Sequence, residues 1–176
     1  MREKIRFEPD CVVLALNPEE YWFVINSVFH PLAIEYVDRF EEVFLTSKET
    51  AESLFEALRD AEKAAKTTGS YWAVPRIAKV DALARHDLGF PDIDRPVGDE
   101  DGRSRPLVRF SKEGAVLSLS PQHYRLVRAM MAHALSHVQD FDFGPMLAST
   151  RFYAERLVSY VEAAEAEAAR RGFVFG

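Results

Sequence analysis

The chain has 176 residues, 48% of them hydrophobic and 28% charged, enough apolar material for one or two compact cores and outside the disordered class. Its net charge of −6 argues against a general nucleic-acid surface, and a single cysteine, Cys11, excludes an intrachain disulfide and a Cys-rich zinc site. No apolar run approaches the roughly 20 residues of a membrane span, and the charged start of the chain is unlike a signal peptide, so a cytoplasmic protein without membrane contact is expected.

In chain order, the apolar runs 5–7 and 11–16 flank the turn pair Pro9-Asp10 and predict a β-hairpin. Period-two alternation places Ile5, Phe7, Leu14 and Leu16 on one face. Asn17 and Pro18 then read as a helix N-cap and first helical residue, with Glu20 completing a capping box. The core stripe of that helix is Tyr21, Val24, Val28 and Leu32. A loop carrying Phe40 as an anchor should follow. The next helix starts near Ser47, runs through Ala51, Leu54, Phe55, Leu58 and Ala61, and ends before Gly69.

The segment 73–106 breaks this pattern. Ile77, Val80 and Ala84 predict a short helix over 75–87, and the proline, glycine and acidic residues beyond Gly89 predict a mobile loop. Its acidic cluster fails as a calcium loop, because the fifth position counted from Asp92 is Pro96.

From Val108 onward the chain repeats its opening. Shifted by one constant offset, Arg6, Phe7, Val13, Leu14, Leu16, Pro18, Tyr21, Val24, His30, Leu32 and Phe40 meet Arg109, Phe110, Val116, Leu117, Leu119, Pro121, Tyr124, Val127, His133, Leu135 and Phe143. Ala51, Glu52, Leu54, Ala61, Glu62, Ala65 and Gly69 continue the match to Ala154, Glu155, Leu157, Ala164, Glu165, Ala168 and Gly172. That is about eighteen identities over about 65 ungapped positions, where composition alone would give about four or five. The expected fold is therefore α+β, a tandem duplication of a ββαα unit forming one pseudo-twofold body. The first repeat occupies 1–72, the insert 73–106 and the second repeat 107–176.

The motifs that position phosphates, dinucleotides, acyl groups or hydrolytic zinc are missing, which leaves few enzyme classes with support and no cofactor to expect. Cys11, within a predicted strand, reads as a small buried hydrophobe. His133 and His137, four apart on a predicted helix with Asp140 beyond them and His30 as the repeat mate of His133, form the one set with metal-ligand spacing. Only His30 and His133 are repeated. The same niche in two ancestral units explains them without a metal.

The two first helices differ on a second stripe, where Trp22, Ile25 and Phe29 stand in place of Arg125, Arg128 and Ala132. An apolar second face is covered either by the insert, through Tyr71, Trp72, Val74 and Ile77, or by a protein partner or second subunit. Trp22, Ile25, Phe29, Arg125 and Arg128 thus form the candidate interaction surface. A basic stripe of Arg125, Arg128, Arg151 and Arg156 is the remaining route to nucleic acid. The functional expectation is a small non-catalytic protein-binding module, such as a toxin-neutralising immunity protein or an adaptor. The rival is a metal-dependent enzyme or sensor using His30, His133 and His137.

Overall fold

The computed structural model describes residues 4–30, 39–44, 46–69, 95–98 and 104–173. The helix expected over 75–87, its apolar residues and Leu32 lie outside these. The described chain is α+β, with six helices and a four-stranded antiparallel sheet.

Two strands, β1 (Ile5–Phe7) and β2 (Val12–Leu16), form the first hairpin, whose turn is closed by the Glu8 N–H donating to the Cys11 carbonyl at 2.9 Å. Helices α1 (Pro18–His30), α2 (Phe40–Phe44) and α3 (Lys48–Thr68) follow. Two short strands, β3 (Val97–Gly98) and β4 (Ser104–Arg105), pair within the segment expected to be a loop. The second hairpin, β5 (Leu107–Ser111) and β6 (Gly114–Leu119), leads into α4 (Pro121–His137), α5 (Asp140–Leu147) and α6 (Arg151–Arg170).

Local chemistry sets most of the helix boundaries. At α1 the capping box is complete: Asn17 Oδ1 accepts from the Glu20 N–H at 2.9 Å, and Glu20 Oε2 accepts from the Asn17 N–H at 3.0 Å. Ser47, Ser120 and Thr150 cap α3, α4 and α6 in the same way, each accepting from the backbone N–H three residues on. Gly69 leaves α3 at φ 75° and Gly172 follows α6 at φ 83°, a left-handed conformation that glycine adopts without Cβ strain.

The sequence reading of a loop around Phe40 and Phe143 needs correction, since both residues sit in short helices. Neither segment has the length to be helical by propensity alone. Tertiary contacts hold them: Phe40 and Phe143 are buried, and the Arg151 guanidinium lies 4.8 Å from the Phe143 ring centroid while pairing with Asp140 at the start of α5.

The sheet runs β1-β2-β6-β5, so the inner strand of each hairpin pairs with the other. In that central pair Leu14 lies opposite Leu117, Val12 opposite Leu119 and Leu16 opposite Ala115. These residues face the helices and join Tyr21, Val24, Val28, Tyr124, Val127 and Met131 in the main core. Val13, Ala15 and Ser118 project to the other face and are buried as well. Burial on both faces accounts for the unbroken apolar run of β2.

Candidate functional site

Helix α4 brings His133 and His137 together, as four-residue spacing requires. Their rings stack, with centroids 4.0 Å apart and planes 12° apart, and the Phe44 ring from α2 meets His133 in an edge-type contact at 5.2 Å. His137 Nδ1–H donates to the His133 carbonyl at 3.0 Å, which orients its ring. Nitrogen lone pairs lie in the ring plane, and two nearly parallel planes at this separation give no common point at a metal–nitrogen distance of about 2 Å. Asp140 pairs with Arg151. The His30 side chain lies outside the described residues. Among the described residues no three His, Cys, Asp or Glu side chains gather as a metal site would need.

The second stripe of α1 is graded. Ile25 is buried and part of the core, Trp22 is half-buried, and Phe29 is 45% exposed with its ring stacked on Phe55 of α3 at 5.1 Å. Asn26 between them donates its side-chain amide to the Leu147 carbonyl at the end of α5. The chain's own helices therefore cover much of this face. On α4, Arg125 is exposed, whereas Arg128 is a strut. Its Nε donates to Glu165 Oε1 of α6 at 2.6 Å and its Nη2 to Oε2 at 3.3 Å. Tyr124 donates its hydroxyl to the same Oε1. Burial first, then this hydrogen bond, raises the Tyr124 phenol far above its ordinary value.

Two buried groups went unnoticed in the sequence. His123 Nδ1 lies 2.7 Å from Ser120 Oγ, and its Nε2 lies 3.2 Å from Ser53 Oγ on α3. The Ser53 hydroxyl also reaches the Thr50 carbonyl at 3.1 Å. A single direction of donation satisfies every group: Ser120 hydroxyl to Nδ1, Nε2–H to Ser53, and Ser53 hydroxyl to the Thr50 carbonyl. In that arrangement Nε2 carries the proton and cannot act as a base toward Ser53, so the cluster is a joint between α3 and α4. Burial lowers the His123 pKa and keeps the ring neutral. Its signal was the offset of the repeat, which sets His123 against Glu20 of the capping box.

The second is Glu19 in the first turn of α1, which is 5% exposed. Its Oε2 has no hydrogen-bond partner among the described residues. Desolvation pushes its pKa up to about 7. The matching position in α4 is Gln122, which donates its amide to Thr50 Oγ1 at 3.3 Å. Cys11 is fully buried, and that burial raises its pKa, the reverse of an activated thiol.

Among the described residues two further aromatic rings are exposed. Phe141 is 75% and Phe152 is 54% exposed. Each is the residue next to one member of the Asp140–Arg151 ion pair, Phe141 in the first turn of α5 and Phe152 in the first turn of α6. Compared with known proteins, the chain matches no family model, no curated protein and no solved structure. Among the described residues no helix is long and apolar enough to cross a membrane.

Proposed function

We propose that the protein is a non-catalytic protein-binding module built from two equivalent halves by tandem duplication. The observation that carries the binding reading is the pair of exposed aromatic rings, Phe141 and Phe152, held on helix starts that the Asp140–Arg151 pair ties together. Aromatic anchors on a rigid frame concentrate binding energy. In the first half the position of Phe152 is taken by the exposed Glu49, so this surface belongs to the second half alone.

Equivalence of the halves is supported by register. The hairpin pairs Ile5 with Leu14 and Phe7 with Val12 recur, at the offset of the sequence repeat, as Val108 with Leu117 and Phe110 with Ala115. Leu14 faces its own repeat mate, Leu117, as residues on a twofold axis do. The aromatic contacts are reciprocal too. Phe7 meets Tyr124 edge-on at 5.8 Å, and its mate Phe110 meets Tyr21 edge-on at 5.2 Å.

The net charge of −6 favours a basic protein partner, as for an immunity or adaptor protein, and a second copy of the chain is the other occupant to consider. Affinity capture with the full chain, run beside a Phe141→Ser, Phe152→Ser double variant, tests the reading. A partner retained by the wild type and lost by the folded double variant is expected. Equal capture by both proteins overturns the aromatic surface, and sedimentation of the wild type separates self-association from a different partner.

A further inference from the structure

The second half shows what its Tyr–Glu pair can hold. Glu165, oriented by the Tyr124 hydroxyl, accepts two hydrogen bonds from the planar guanidinium of Arg128, a geometry that suits arginine better than lysine. In the first half the same pair recurs. Tyr21 donates its hydroxyl to Glu62 Oε1 at 2.6 Å, and Glu62 is a half-buried carboxylate on α3. The position of Arg128 is taken there by Ile25, an apolar side chain in the core, so the chain supplies Glu62 with no guanidinium from α1. The tyrosine hydroxyl fixes one carboxylate oxygen, and the side-chain ion pairs among the described residues leave Glu62 uncommitted.

We propose that Glu62, oriented by Tyr21, is a binding point for an arginine side chain of a basic partner protein. The proposal rests on the equivalence of the halves argued above, with Arg128 as the template for the bound guanidinium. A carboxylate already ordered by a hydrogen bond loses less freedom on pairing, and its half-buried setting strengthens a charge-assisted contact relative to open water. The acidic chain adds long-range attraction for such a partner.

The test uses the full chain and a short capped peptide with one arginine flanked by glycines, followed by NMR shifts at Glu62 and Tyr21. Saturable shifts are expected with arginine and none with citrulline, which keeps the shape and removes the charge. Glu62→Gln should weaken binding about tenfold, as loss of a charge-assisted pair implies, and Glu56→Gln on the same helix less than about twofold. Ile25→Arg supplies the guanidinium from within and should block the peptide. Absence of shifts, or equal weakening by the two glutamine variants, overturns the proposal. Coupling between Ile25→Arg and Glu62→Gln in thermal melts reads the equivalence of the halves separately, so that reading survives or fails independently of the peptide. Should Ile25→Arg not fold, the glutamine variants alone still decide.

Discussion

Glu19 and His123 are buried titratable groups in the first turns of α1 and α4, and their burial makes stability depend on pH with opposite signs. The Glu19 carboxyl rises from 4.5 to about 7 in the folded chain, so between these values the folded state holds more protons than the unfolded one. Stability therefore falls as pH rises across that window, by on the order of 3 kcal/mol if the whole shift is expressed. Glu19→Gln should remove this slope and stabilise the protein at pH 8, as the natural glutamine at position 122 implies. Urea midpoints at pH 5 and pH 8 check it, and a wild-type slope retained by the variant would show that Glu19 is not its source. His123 is depressed below 6.5, so the stability tied to its neutral ring is present above that pH and lost as pH falls through the window below it. His123→Ala, which leaves Ser120 and Ser53 without their shared partner, should cost about 1–3 kcal/mol at pH 8. The cost should shrink at pH 5. A penalty independent of pH would mean that the ring is hydrated and titrates normally.

At the scale of elements, legibility in the sequence followed the range of the interactions. The N-cap Asn17, the helix start near Ser47 and the exit glycine Gly69 were readable because each acts within a turn of its own helix. The helices α2 and α5 were not, because contacts from outside their segments hold them. The His123 joint was missed for the same reason, its partner Ser53 being 70 residues away, whereas the search for ligands rewarded the local spacing of His133 and His137. Arg151 shows how one distant side chain decides an element. It pairs with Asp140 of α5, donates through Nη1 to the Leu135 carbonyl near the end of α4 at 2.8 Å, and covers the Phe143 ring. Arg151→Ala should cost about 2–3 kcal/mol and expose amides of α5 to hydrogen exchange ahead of global unfolding. Arg151→Lys, which keeps the charge without the planar fork, should recover less than half of that loss. Full recovery by lysine would assign the effect to charge alone.

For the molecule as a whole, the likeness of the two stretches was legible in the sequence as a constant offset, but the way the two hairpins meet was not. Pairing of hairpins in one sheet and of facing sheets satisfies the same hydrophobic pattern, and only the structure distinguishes them by joining β2 to β6. The central position of that joint is Leu14 opposite Leu117, both fully buried and both facing the helices. If the halves are equivalent, the two leucines occupy matching surroundings. Leu14→Ala and Leu117→Ala should then each cost about 2–5 kcal/mol and agree with one another within about 1 kcal/mol. The double variant should cost less than the sum, because neighbouring truncations share one cavity and each removes contacts that the other has already lost. A fold that shares one core across the joint should also keep a single unfolding transition in all three variants. Unequal single costs would count against equivalent surroundings for the two halves. Two separate transitions, one sensitive only to Leu14 and the other only to Leu117, would divide the molecule into independent units and remove the shared sheet from the account of its stability.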